Sequence, residues 1–555
     1  MKVQDIVLIG AGLTVLAGAC SSDSSGPGNP STCGARGTEL TLAVAAYQSV
    51  DPATDSGCAT ISANTSSDTA EYLVLPWSAG GTPATSAPFA LQSAAALPSP
   101  IAQGLFAHTP SLTGARGKAA VSFDHFLREM GRTRRYPQVG LASQPARATT
   151  ADPAAASPPA IGSLRSFKVC SNLTCSAYDT VRAVAKAVGA HIAIYVDTLA
   201  PSPGLDSATL AGIQQTFDSR LYPLDSTTFG AVSDIDGNSV VIVLMTGTVN
   251  KLITKSRCMT DGYVAGFFFS GDIDPGAASQ FNNGEIFYSI VADPSATLSC
   301  AHTEADVKVI TPVIFTHEFQ HMINFVQHVR IRGGGEEDGW LDEGLSKYAE
   351  ELAGRTYLPA SPDTFSFYAF NAVADAYTYL QDPASSPLMI PADTGTLAEV
   401  GASWLFTRYI IDRFGASLAG KLVQTSQIGA ANVAAQTGQP FDQTVTRWAL
   451  ANWVSDLPGF TAPAELQYTT WHFRTTFGGL HSSDPGDFPL AYPLVPVVAA
   501  DNAVNLSGTL WSGSGAYVRV MQPPNSAAFT LHLSGAASSP ISSSVVPRLV
   551  VLRIR

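Results

Sequence analysis

The sequence is poor in charge. Only 14% of its residues are Asp, Glu, Lys or Arg, and the net charge is −13. No basic run exceeds Arg132-Thr133-Arg134-Arg135, so there is no cationic stripe to neutralise phosphates, which argues against a nucleic-acid partner. Long apolar runs are scarce as well. The run Ile6 to Ala19, about fourteen residues, is too short for a comfortable bilayer span and suits the core of a signal peptide. No cysteine pair has zinc-finger spacing, and no repeat of solenoid length is present.

What is present is globular. Hydrophobic residues make up 45% of 555 positions, too long a chain for one core, so several domains are expected. The apolar leader ends in Leu16-Ala17-Gly18-Ala19-Cys20, followed by polar residues. This resembles a bacterial lipobox, which implies an exported protein lipidated at Cys20 and held at the outer membrane or cell surface, or otherwise secreted. Setting Cys20 aside, the remaining cysteines are even in number, as an oxidising compartment favours. Sequence proximity pairs them Cys33–Cys58, Cys170–Cys175 and Cys258–Cys300.

The chemistry concentrates in Thr316-His317-Glu318-Phe319-Gln320-His321. On a helix, positions i and i+4 share a face, so His317 and His321 can aim two imidazoles at one ion. Trp340-Leu341-Asp342-Glu343-Gly344 opens a second helix, and Glu343 in its first turn can face the first helix as a third ligand. A catalytic zinc takes three protein ligands and leaves a position open for water. Glu318, beside the first ligand, is placed as the base. The surrounding Val313 to Val326 is mostly apolar, so the helix is expected to be buried. Thr311-Pro312 reads as its N-terminus and Gly333-Gly334-Gly335 as the end of the segment. His328 lies two turns beyond His321, too far for the same ion. Tyr348, Tyr368, Tyr377 and Tyr379 are candidate donors to an oxyanion.

His-Glu-x-x-His followed by Trp-Leu-(Asn/Asp)-Glu-Gly is the signature of gluzincins, and residues 317–324 with 340–346 look most like the hyicolysin family of bacterial metallopeptidases. The resemblance spans roughly residues 165–455. It implies Zn2+ held by His317, His321 and Glu343, Glu318 as catalytic base, and a protein or peptide substrate. The Gly-x-Met-Glu-Asn motif of the M1-type aminopeptidases is absent, which favours an endopeptidase. The metzincin pattern fails at Asn324 and Gln327. The alternatives are a zinc aminopeptidase, or a catalytically degenerate surface-binding lipoprotein or adhesin.

The expected fold is multidomain α+β. Residues 1–19 read as signal peptide and 20–37 as tether. Residues 38–115 read as a β-sandwich, and 116–162 as a helix near 119–135 plus a Pro/Ala-rich linker. Residues 163–460 read as a zincin-like domain with a mixed sheet and a mostly helical lower lobe, and 461–555 as a second β-sandwich. Thr180 to Val188 is expected to be a helix. Strands are expected at His191–Asp197, Val240–Met245, Gly262–Phe269 and Glu285–Val291, with an edge strand able to pair with extended substrate. Asp234-Ile235-Asp236-Gly237-Asn238 reads as a turn rather than a calcium loop. A monomer is expected, and residues 38–162 could cover the cleft.

Overall fold

The computed structural model describes residues 33, 37–54, 56–93, 101–102, 117–136, 157–389 and 395–555. The expected leader, Cys20 and nearly all of the expected tether, and most of the expected Pro/Ala-rich linker, lie outside the described residues.

The first strands are β1 (Thr38–Leu40), β2 (Tyr47–Val50), β3 (Cys58–Ile61), β4 (Ala70–Ser78), β5 (Ser86–Ser93) and β6 (Ile101–Ala102). A central group follows: β7 (Leu164–Cys170), β8 (Tyr178–Val188), β9 (Ile192–Asp197), β10 (Val241–Met245), β11 (Gly266–Phe268) and β12 (Ile286–Ser289). The last are β13 (Val497–Ala499), β14 (Asn505–Trp511), β15 (Val518–Gln522), β16 (Phe529–Ser534) and β17 (Pro547–Arg553).

The two ends of the chain do not form separate sandwiches. One sheet runs β1-β3-β16-β5-β14-β6 and the other β13-β15-β4-β17-β2, so each interleaves N-terminal with C-terminal strands. β4 pairs antiparallel with β17 from Ser78↔Pro547 to Tyr72↔Arg553. A shared core of Leu40, Val74, Leu91, Leu510, Val520, Leu531 and Val551 lies between the sheets. The alternation in each segment predicts strands correctly but does not say which segment completes which sheet. Trp77 meets Trp448 edge-on at 6.3 Å, and Tyr517 donates to the Ala449 carbonyl at 2.8 Å. These contacts seat the sandwich on the helical lobe.

The central sheet runs β11-β12-β10-β9-β8-β7. β10 lies parallel to both neighbours and is buried at every residue, as its Val-Ile-Val-Leu-Met run requires of an interior strand. β11 closes one edge, antiparallel to β12. Residues 178–188 form β8 and not a helix. Val181, Ala183, Ala185 and Ala187 point inward while Arg182 and Lys186 point out, and two-sided pairing with β7 and β9 overrides the helix preference of alanine.

The motif helix, Glu304–Phe325, crosses this sheet, with Phe315 against Phe287 at 5.1 Å. It begins earlier than Thr311-Pro312. The Thr303 side chain accepts from Asp306 N–H while the Asp306 carboxylate accepts from Thr303 N–H, a capping box. Pro312 therefore lies inside the helix. Beyond Phe325 the helix widens into a π-helical stretch, Val326–Ile331, and Gly333, at φ +66°, follows it. The second helix, Gly339–Arg355, packs beside it, and Pro362–Gln381, Leu397–Phe414 and Phe441–Val454 complete a helical lower lobe. Gly415, at φ +91°, stops the helix ending at Phe414.

The six paired cysteines are joined as Cys33–Cys58, Cys170–Cys175 and Cys258–Cys300. No helix among the described residues is long and apolar enough to cross a membrane.

Candidate metal centre

His317 and His321 lie one turn apart on the motif helix, and Glu343 lies in the first turns of the second helix. Their ligand atoms gather within 4.8 Å of one another. The Nε2 atoms of His317 and His321 are 3.1 Å apart. Glu343 Oε1 is 3.3 Å from His321 Nε2, and Glu343 Oε2 is 3.9 Å from His317 Nε2. Ligands at ~2.0–2.1 Å around a tetrahedral zinc are separated by roughly 3.3 Å, so these separations suit such an ion.

The outer nitrogens explain why the inner ones converge. His317 Nδ1 donates to Glu350 at 2.7 Å, and His321 Nδ1 donates to Asp342 at 2.8 Å. A proton on each Nδ1 leaves Nε2 as a lone-pair acceptor. Two such acceptors then meet a carboxylate, and buried Glu343 Oε1 finds no hydrogen-bond donor among the described residues. Three acceptors facing one another in a buried place need a cation. Burial disfavours charge on His321, yet the Asp342 carboxylate more than offsets this and holds its pKa well above the usual histidine range. The residues present therefore fit a divalent ion.

Glu350 is itself held by Lys347 Nζ at 3.0 Å. Burial opposes its ionisation, but Lys347 and His317 keep its pKa below the ordinary value. Asp342 also accepts from the Asn324 side chain. Glu318 is buried, its Oε2 without a hydrogen-bond partner among the described residues, and burial raises its pKa against the pull of His317 and His321. Strand β11 passes close to it. A Cβ on Gly266 would stand 2.4 Å from Ile314 Cγ2 and 3.7 Å from Glu318 Cγ, so glycine permits the edge strand to approach the motif helix.

His328 is fully buried, 3.7 Å from Glu337, and burial lowers its pKa to about 4. Tyr348 lies under the Arg408 guanidinium at 4.9 Å, and Tyr368 packs on Tyr357 at 5.7 Å. The Tyr377 hydroxyl donates to Leu490 O at 2.9 Å, and Tyr379 stacks on Trp448 at 5.7 Å. Asp234 and Asp236 form a turn into β10. Asp234 accepts from Ser239 N–H and Asp236 from Asn238, while nearby Glu285 accepts from Ser233 and from Ile235 N–H.

Sequence reasoning missed the groups around the ligands. Glu350 lies two turns beyond Glu343 on the same face, so helical periodicity gave a signal for it. Asp124 and Arg128 gave none. They come from the helix Lys118–Thr133, which is wedged against the metal centre. Asp124 Oδ1 is 3.9 Å from His321 Nε2, and Arg128 reaches Asp342 at 3.7 Å. Burial, then the neighbouring Glu343, raises the Asp124 pKa well above normal. Burial also opposes charge on Glu343, but the neighbouring Asp124, His317 and His321 side chains hold its pKa well below normal.

No protein-family model matches the chain. It is 28% identical over 143 residues to the neutral metalloprotease ShpI of Staphylococcus hyicus, a match covering 25% of this chain and 30% of that protein. The chain thus aligns with less than a third of the relative's length. A distant likeness to a metalloprotease is what this comparison supports, and it agrees with a group of side chains that could hold a metal.

Proposed function

We propose that this chain is an exported zinc-dependent endopeptidase of the gluzincin type, similar to the hyicolysin family. The observation that carries it is the meeting of His317, His321 and Glu343, with Glu350 and Asp342 fixing the far side of each imidazole. Zinc, when bound, supplies the Lewis acidity that makes a water nucleophilic near neutral pH and polarises the scissile carbonyl. Glu318 takes the proton from the attacking water and delivers it to the leaving amine. Its buried Oε2, which has no hydrogen-bond partner among the described residues, suits that role. β11, the edge strand beside Glu318, is where an extended peptide would pair through its backbone. The three disulfides are consistent with an extracellular protein. Lipidation of Cys20 would tether it at the cell surface.

The test is Glu318→Gln. The variant should bind zinc as the wild type does and lose hydrolysis of an amino-terminally blocked peptide by on the order of 10²–10⁴-fold. Full hydrolysis by this variant would refute the role of Glu318. Cleavage of free-amino-terminus peptides only would point to an aminopeptidase.

A further inference from the structure

The helix Lys118–Thr133 is not a surface helix. Ala119, Val121, Phe123, His125, Leu127, Arg128, Met130 and Gly131 are all buried, more than one apolar face accounts for. It lies between the central sheet and the lower helices. On one side Phe123 meets Phe267 of β11 edge-on at 5.2 Å, and Arg128 donates to the Phe268 carbonyl at 2.6 Å. On the other side Arg128 reaches Glu336 at 3.4 Å, and His125 Nδ1 would stand 3.1 Å from a Cβ on Gly339. Gly131 passes Glu336 so closely that a Cβ there would lie 1.6 Å from its Oε2. Arg128 thus holds a carbonyl of the edge strand.

One residue of this helix reaches the rim of the metal centre. Asp124 Oδ1 lies 3.9 Å from His321 Nε2, the same separation as Glu343 Oε2 from His317 Nε2. Oδ1 also pairs with Arg128 Nε at 3.5 Å, so a salt bridge within the helix accounts for one oxygen. It does not account for Oδ2, which is enclosed beside the Glu343 carboxylate and finds no hydrogen-bond donor among the described residues.

We propose that Asp124 is a fourth, inhibitory ligand: its carboxylate closes the metal position otherwise left to water, while its helix fills the substrate cleft. The chain folded in this way is a self-inhibited form of the peptidase, and activity requires the helix to leave. This rests on the zinc-peptidase reading above and adds its regulation. A carboxylate is a common zinc ligand, and a three-ligand site keeps one position that such a group can take. The N-terminal strands that precede the helix are locked into the sandwich by pairing with β14, β15, β16 and β17. The plug is therefore held close to its site, where its effective concentration is high.

The experiment uses the full chain loaded with Co2+ in place of zinc, with the visible absorption of the ion as readout and acetohydroxamate as the small ligand. Wild type, Asp124→Ala and Asp124→Asn are titrated in parallel, with folding checked by circular dichroism. Asp124→Asn keeps the size of the side chain and serves if the alanine variant unfolds. The expected result is that all bind Co2+ and that acetohydroxamate shifts the spectrum of the variants at a concentration at least tenfold lower than for wild type. The Co2+ spectrum of the variants should already differ before acetohydroxamate is added. Equal hydroxamate affinity and identical spectra in all Co2+-loaded proteins would overturn the plug and leave the zinc reading standing. Folded proteins that take up no Co2+ would overturn both.

Discussion

Glu350 offers a quantitative handle on the metal centre, because it touches a ligand without being one. It accepts from His317 Nδ1 at 2.7 Å and is neutralised by Lys347 at 3.0 Å. Glu350→Ala removes the group that fixes the ring and the charge that raises its basicity. Such outer partners are worth about 10–100-fold in metal affinity, or about 1.4–2.8 kcal/mol. The substitution also strands the largely buried Lys347 ammonium, which costs about 3–5 kcal/mol when one partner of a buried pair is removed. The two effects must be separated. Zinc affinity is read by competition against a chromophoric chelator, and stability by thermal unfolding of the metal-free protein. Glu350→Ala with Lys347→Met should recover stability without recovering zinc affinity. Glu350→Gln, whose amide oxygen can still accept from Nδ1, should fall between wild type and alanine. If zinc affinity tracked stability through all these variants, or stayed at the wild-type value in Glu350→Ala, the assigned role of Glu350 would be wrong.

Other outcomes follow from the same geometry. Burial raises the Asp272 pKa to about 7, so its contribution to stability is complete below the unfolded carboxylate range and is lost as pH rises towards 7. Asp272→Asn should flatten that fall, by roughly 1.4 kcal/mol per pH unit; parallel unfolding curves from pH 4 to 7 for both proteins would contradict it. His328→Gln should leave zinc stoichiometry unchanged, since His328 faces Glu337; elemental analysis decides. Residues 37–102 expressed alone should show no cooperative unfolding transition, because each sheet lacks its C-terminal strands; a sharp two-state melt would overturn the single-sandwich description.

The parts legible in the sequence were those set by local spacing. Two histidines one helical turn apart and a glutamate opening the next helix are fixed by periodicity, and the structure brings the three together. Cysteines near in sequence paired as proximity suggested. The strands 38–93 and 505–553 were visible as alternation, but pairing β4 with β17 joins residues from opposite ends of the chain, and no local pattern encodes that. Residues 180–188 misled because their alanines suit a helix in isolation, whereas their burial alternates. Thr311-Pro312 misled because Pro312 stands within a helix whose capping box lies a few residues upstream at Thr303 and Asp306. Asp124 was invisible because its importance comes only from the long-range packing of its helix against the metal centre.

The central claim is tested most directly by locating zinc in crystals of the full chain from anomalous scattering at its absorption edge. The account predicts one strong peak per chain, about 2.0–2.2 Å from His317 Nε2, His321 Nε2 and a Glu343 oxygen. A folded protein with zinc elsewhere, or with no zinc after incubation in excess, would contradict it.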